Sequence, residues 1–92
     1  MYVFTPKGDI KKLPKGATAL DFAYAVHSDI GNHCVGARVE HELVPLHHSL
    51  SNGNHVEILT TRSAWPSPLW LNYVVTGKAR STIRAYLNHQ QQ

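Results

Sequence analysis

A histidine, a tyrosine and a leucine share one flank of a predicted helix, and the histidine stands near its end. Leu20, Tyr24 and His27 fall into a single stripe at 100° per residue. The helix dipole at the last turn would favour a protonated imidazole at His27. An aromatic ring beside an imidazole can stack on a base or contact a phosphate. From the residues alone, a surface histidine on a half-buried flank is the simpler interpretation.

The single cysteine is the next candidate for chemistry. Cys34 follows His33, and the two could form a nucleophile pair or part of a metal site. Neighbouring residues on a strand point to opposite faces, so we predict a small buried thiol beside an exposed histidine. A zinc site formed by His27, His33, Cys34 and His55 would require the fold to bring all four together. We therefore expect no metal and no cofactor.

Two segments resemble parts of catalytic motifs but lack required residues. His41-Glu42 begins like a zinc-protease helix, yet Pro45 stands where the second histidine is required and also opposes a helix. Thr76-Gly77-Lys78-Ala79 resembles the end of a phosphate-binding loop. Its lysine is followed by alanine, and Asn72 replaces the first glycine of that motif. No catalytic machinery is indicated.

Composition excludes several classes of protein. The chain has 92 residues, 42% of them hydrophobic, which is enough for one modest core. One cysteine cannot form an internal disulfide, and the start of the chain lacks the pattern of a secretion signal. No apolar run reaches the length of a membrane span. We expect a cytoplasmic domain with no membrane association.

The net charge of +3 is distributed in three blocks. Residues 1–15 carry four lysines and one aspartate, residues 16–62 carry two arginines and five acids, and residues 63–92 carry three cations and no acid. Basic ends could contact an anionic partner, or the lysines could simply be solvated on hairpin turns.

The pattern of elements predicts an α+β fold. Predicted strands cover Tyr2–Thr5, Ile10–Leu13, Val35–Glu40, Leu43–Leu46 and His55–Thr60, and a helix runs from Ala19 to Ile30. One helix can cover one face of so small a mixed sheet, which is the β-grasp or ubiquitin-like architecture. Alternation along the third strand predicts that Val35, Ala37 and Val39 are buried.

The last third of the chain is predicted to be an extension of this domain. Residues 63–68 form a proline-containing linker, Leu69–Val75 a short helix or turn, and Lys78–Leu87 a second helix, with residues 88–92 frayed. Tyr73, Ile83 and Leu87 need a surface to pack on, which the small domain is not expected to supply. We infer a piece of a longer protein that ends just inside the next helical region.

Several stretches of sequence resemble one known family. They are Tyr2-Val3-Phe4-Thr5-Pro6-Lys7-Gly8-Asp9, Leu13-Pro14-Lys15-Gly16-Ala17-Thr18, Asp21-Phe22-Ala23-Tyr24-Ala25-Val26-His27 and Cys34-Val35-Gly36-Ala37-Arg38. They are similar to the TGS domain that threonyl-tRNA synthetases, certain GTPases and RelA/SpoT enzymes share. The stretch from Pro68 to Arg84 is similar to the segment located after TGS in RelA/SpoT proteins, and its residues favour the bifunctional, SpoT-like branch. The resemblance places the TGS domain at residues 1–62 and the linker with the start of the next helical region at 63–92.

The resemblance implies a parent enzyme that makes and degrades (p)ppGpp in the stringent response. Such a parent carries a pyrophosphate-transferring synthetase that uses Mg²⁺ and a hydrolase that uses Mn²⁺. Both catalytic domains precede TGS in the family, so this chain would be regulatory and without a cofactor of its own.

The same resemblance implies a set of site residues. His27 matches a histidine associated with the 3′ CCA end of deacylated tRNA on the ribosome, and Tyr24 lies beside it. This match favours a functional role for His27, whereas the residues alone favoured a surface histidine without one. Lys7, Lys11, Lys12, Lys15 and Arg38 are electrostatic candidates.

Two further functional classes share features with this sequence. In SpoT-like relatives the region is also implicated in docking acyl carrier protein, a small acidic partner that would suit a basic patch; other domains of the parent chain are further partners. A ubiquitin-like sulfur carrier shares the fold but needs a Gly-Gly end, whereas this sequence ends in Gln90-Gln91-Gln92.

Overall fold

A computed structural model describes residues 1–90 of the chain. Its elements are β1 (Tyr2–Phe4), β2 (Ile10–Lys12), α1 (Ala19–Val26), α2 (Ser28–Asn32), β3 (Cys34–Val39), β4 (Glu42–Val44), β5 (Val56–Thr60), a 3₁₀ helix (Pro68–Asn72) and α3 (Gly77–Gln90). Within the described residues, no helix combines the length and the apolar character needed to cross a membrane.

The strands form two small antiparallel sheets around α1. One sheet is the β1–β2 hairpin, and the other has the order β4-β3-β5. An isolated parallel bridge between Phe4 and His55 joins them, and the two rings stack with centroids 5.2 Å apart. The α+β, β-grasp prediction is therefore confirmed. The predicted mixed sheet is present as two sheets linked at one point, since the strands are short.

The third strand differs from its predicted alternation. Val35 is 52% exposed, whereas Cys34, Ala37 and Val39 are buried. The pairing of β3 with β5 shifts register between Cys34 and Gly36. Such an irregularity changes which side chains face the core. The prediction of a buried Val35 is therefore wrong.

The main helix begins as predicted and ends earlier. The Thr18 hydroxyl accepts a hydrogen bond from the Asp21 amide, and the Asp21 carboxylate accepts one from the Thr18 amide, forming the capping box. The sequence predicts one helix to Ile30, but extended backbone at His27 (φ −170°, ψ 147°) separates α1 from α2. The new helix starts here because the His27 ring accepts a hydrogen bond from the Asp29 amide and so caps α2.

Two hydrophobic clusters hold the layers together. The first fills the space between α1 and the strands and includes Val3, Phe22 and Ala37. The second lies on another side of α1, where Leu20 and Tyr24 pack with residues of the C-terminal helices. α1 is thus buried on two sides, which a lone helix on a sheet would not be.

The C-terminal segment packs on the domain, contrary to expectation. Ile83 is fully buried in the second cluster, and Tyr73 and Leu87 pack partly buried against it. The surface that they need is supplied by α1, together with the 3₁₀ helix. Residues 88–90, predicted to fray, continue α3, and the last two residues of that prediction lie outside the described residues.

Candidate functional site

His27 lies at the junction of α1 and α2, and one nitrogen of its ring caps the start of α2. Its amide donates to the Ala23 carbonyl at 3.2 Å, closing α1, and its Nδ1 accepts from the Asp29 amide at 3.0 Å, capping α2. Because Nδ1 accepts, the neutral ring carries its hydrogen on Nε2. The side chain is 65% exposed, so Nε2–H is a donor that a partner can reach.

This geometry corrects one part of the sequence interpretation. The sequence placed His27 in the last turn of a helix, where the dipole favours a cation. Instead its ring caps the start of α2, and its hydrogen bond to Asp29 requires Nδ1 without a proton. The imidazole is therefore held by the backbone at Nδ1, which leaves Nε2 as its hydrogen-bond donor.

Tyr24 does not stand beside His27 on the surface. Its side chain is fully buried, and its hydroxyl donates to Asn32 Oδ1 at 2.9 Å. Burial also raises the pKa of the Tyr24 hydroxyl well above its ordinary value. The Tyr24 ring therefore offers no face to a base in this structure, and its contact with tRNA stays an untested prediction. The physical reason is the second layer of helices, which covers the flank that Tyr24 shares with Leu20.

Tyr24 instead orients α2, which carries the contacts of His27. The ring lies directly against Gly31, where a Cβ atom would overlap it. The hydroxyl reaches Asn32, the last residue of the same short helix. Tyr24 therefore fixes the position of α2 through its ring and its hydroxyl. Fixing α2 also fixes the Asp29 amide, which donates to His27.

The predicted cations divide into separate groups. Lys7, Lys12 and Lys15 are exposed and Lys11 is half-buried, all in or beside the β1–β2 hairpin. Arg38 lies on β3, where its Nη1 donates to Glu57 Oε1 at 3.2 Å. That pairing uses the charge of Arg38 within the domain.

Only Lys7 among these cations shares a groove with neighbours of His27. The groove has a volume of about 340 Å³ and is lined by Lys7, Val26 and Ile30 among others. His27 itself does not line this groove, and Asp9 and Glu57 line it together with Lys7. Lys11, Lys12 and Lys15 do not line this groove.

A cluster of packed aromatic rings lies at the end of α2 and was not predicted from the sequence. Trp65 contacts His33 edge to face at 4.3 Å and stacks on Tyr86 at 5.1 Å. The His33 Nδ1 lies 2.9 Å from the Ala64 carbonyl, which can only accept, so His33 donates there. The proline content of residues 63–68 predicts only a linker. Trp65 within that segment was the one sign that it packs against other aromatic residues.

Cys34 has the role that the sequence predicted. Its side chain is buried, and its Sγ donates to the Gly31 carbonyl at 3.1 Å. Burial raises the pKa of Cys34 to about 12, which leaves almost no thiolate near neutral pH. No three metal-ligating side chains converge anywhere in residues 1–90.

Comparisons with known proteins show which family and which proteins this chain is similar to. The model of the TGS domain family matches residues 1–60. The chain is 61% identical over 87 residues to a guanosine-3′,5′-bis(diphosphate) 3′-pyrophosphohydrolase of Vibrio cholerae, covering 95% of this chain and 12% of that protein. It is 55% identical over 89 residues to the bifunctional (p)ppGpp synthase/hydrolase SpoT of Escherichia coli, covering 97% and 13%.

A third relative carries a different name. The chain is 52% identical over 91 residues to a GTP pyrophosphokinase of Myxococcus xanthus, covering 99% of this chain and 12% of that protein. In all three comparisons the chain spans only 12–13% of the relative. The match to these proteins therefore concerns one domain and the segment next to it.

Proposed function

Since this chain belongs to the TGS domain family, in the branch found in RelA/SpoT-type enzymes, we propose that it is the regulatory module of a cytoplasmic (p)ppGpp synthetase/hydrolase. It senses starvation by contacting the 3′ CCA end of deacylated tRNA on the ribosome. The catalytic domains lie outside this chain, which spans 12–13% of its relatives. The Mg²⁺ of the synthetase and the Mn²⁺ of the hydrolase belong to those domains.

The exposed, oriented imidazole of His27 is the observation that supports this contact. A ring with Nε2–H available can donate to a phosphate oxygen or to an acceptor on a base edge, and its face can stack on a base. The Asp29 amide holds the ring at 3.0 Å, so little rotational freedom is lost on binding. Lys7, which is exposed on the β1–β2 turn, adds a cation for the RNA backbone.

The packing of α1 provides a route for signal transfer. The helix that ends at His27 also forms the second hydrophobic cluster with α3, through Leu20 on one side and Ile83 on the other. A ligand at His27 that binds better to one arrangement of this layer shifts the parent toward that arrangement. The module regulates by such differential binding.

The test uses the full-length parent enzyme carrying His27→Ala. We expect stimulation of (p)ppGpp synthesis by uncharged tRNA to fall at least about tenfold, while unstimulated synthesis is unchanged, because the lost contact acts only through tRNA. His89→Ala is the matched control, since His89 is an exposed histidine on α3. A normal tRNA response from His27→Ala would overturn the assignment.

A second candidate function, docking of acyl carrier protein, is favoured by the hairpin lysines. Lys7, Lys12 and Lys15 are exposed, and within residues 1–90 no lysine forms a salt bridge. Labelled acyl carrier protein and a CCA-ended RNA, titrated separately with amide shifts recorded, distinguish the two functions. Shifts around His27 with RNA alone support tRNA sensing, whereas shifts around the hairpin with acyl carrier protein alone support docking.

A further inference from the structure

The outer face of α3 forms a surface of its own. Ala79 and Ile83 bury the inner face against the domain. The opposite side bounds a shallow hollow of about 480 Å³. It is lined by Gly77, Arg80, Ser81, Arg84, Ala85 and Asn88, all of them exposed. None of the contacts of His27 uses this face.

The charge on this face has one sign. Lys78, Arg80 and Arg84 are exposed, and no acid follows Glu57 in the sequence. None of the ion pairs within residues 1–90 involves α3. Asp21, the acid beside the start of α3, is buried and already accepts hydrogen bonds from Val75 and Thr76. The cations of α3 are therefore not neutralised by the domain.

The helix that carries these cations is held firmly. Thr76 donates its hydroxyl to Asp21 at 2.9 Å and accepts from the Ala79 amide at 3.3 Å, which ties the first turn of α3 to α1. Arg80 Nη2 donates to the Val74 carbonyl at 3.1 Å, so its guanidinium is already ordered. A charged surface on a fixed helix loses less conformational freedom on binding than one on a loop.

The side chains that line the hollow indicate what kind of partner it binds. Its side chains offer guanidinium, hydroxyl and amide donors, which are the groups that contact phosphate and sugar in nucleic acids. Protein interfaces take most of their binding energy from buried aromatic and aliphatic anchors, and the hollow contains no large apolar residue. We propose that the outer face of α3 binds the phosphodiester backbone of RNA, independently of base sequence and separately from the contact of His27.

The test measures binding of the 92-residue chain to a short oligouridine without a CCA end, by fluorescence anisotropy. The affinity is expected to fall steeply between about 50 and about 200 mM salt, because cations that contact phosphates release counterions. Arg84→Ala and Lys78→Ala should each weaken binding about threefold to tenfold and reduce the salt slope by about one. The losses in Arg84→Ala should be equal for oligouridine and for a CCA-ended RNA of the same length, which separates this surface from the proposed contact of His27 with the CCA end.

Arg62→Ala is the matched control, an exposed cation in the turn after β5, and should bind oligouridine like the unmodified chain. Thermal unfolding of Arg84→Ala should be unchanged, since Arg84 makes no hydrogen bond to another side chain within residues 1–90. Absence of binding at low salt, an unchanged affinity in Arg84→Ala, or an equal loss in Arg62→Ala would each overturn the proposal. Equally tight binding of polyglutamate would assign the face to an acidic protein instead.

Discussion

The carboxylate of Asp21 joins the beginning of α1 to the beginning of α3 through Thr76. Its Oδ2 accepts from the Thr18 amide at 2.9 Å, and its Oδ1 accepts from the Thr76 amide and hydroxyl at 3.0 and 2.9 Å. The side chain is 1% exposed. One buried acid therefore caps its own helix and fixes a segment more than fifty residues away.

Asp21→Asn should destabilise the chain by about 2–4 kcal/mol. The amide has nearly the same shape, but its NH₂ group cannot accept from Thr18 or Thr76, so buried donors lose a charged partner. Urea unfolding followed by circular dichroism measures the loss. Asp29→Asn is the control, because Asp29 is exposed, and should change stability by less than about 0.5 kcal/mol. Equal effects of the two substitutions would contradict the bridging role.

Gly31→Ala should destabilise the chain by about 2–4 kcal/mol, because the new Cβ would overlap the buried ring of Tyr24. Displacement of α2 should also disturb the amide that holds His27. Gly77→Ala is the matched comparison, since its Cβ would meet open space, and should stay within about 0.5 kcal/mol. Both variants are compared by chemical denaturation and by the amide shift of Asp29. An unchanged stability for Gly31→Ala would show that this approach is not tight.

Cys34 should be nearly unreactive in the folded chain. Burial raises its pKa to about 12, so near pH 8 the folded thiolate fraction is far below that of an ordinary thiol with a pKa of about 8.5. Iodoacetamide should modify the native chain at least about 100-fold more slowly than the chain in urea. A native rate within tenfold of the urea rate would mean that the thiol is accessible and ionised.

The same shift predicts a loss of stability at alkaline pH. The folded thiol holds its proton more tightly than the unfolded thiol, so the free energy of unfolding falls as the pH rises from about 9 toward 12. Cys34→Ala removes this component and should show a shallower decline. Urea titrations across this pH range measure the difference between the two curves.

Glu40 should contribute a stabilising effect that acid removes. Its carboxylate accepts from the His55 amide at 2.7 Å and lies 3.2 Å from the His55 Nδ1, and these contacts lower the pKa of Glu40. The contribution is present above the pKa of the unfolded state and is lost as the pH falls through the lower folded pKa. Glu40→Gln should remove this step from the pH dependence of unfolding. A difference curve that stays flat on acidification would contradict it.

Local features of the sequence predicted the elements of the fold well. The capping box at Thr18 and Asp21 and the turn signals act between near neighbours, so their outcome depends little on the rest of the chain. The helix break at His27 was missed, because apolar periodicity continues across it to Ile30. The His27 side chain stabilises that break by capping α2. The spacing of apolar residues carries no information about such a cap.

The sequence by itself determined the α+β order, the family and the choice of His27 as the residue of interest. Only the tertiary structure decided that Tyr24 is buried, that the His27 ring is held by the Asp29 amide, and that Ile83 has a surface to pack on. Periodicity around a helix identifies its faces but not how many of them another element covers. Residues more than fifty positions away cover α1, and a pattern read over a few turns carries no information about them.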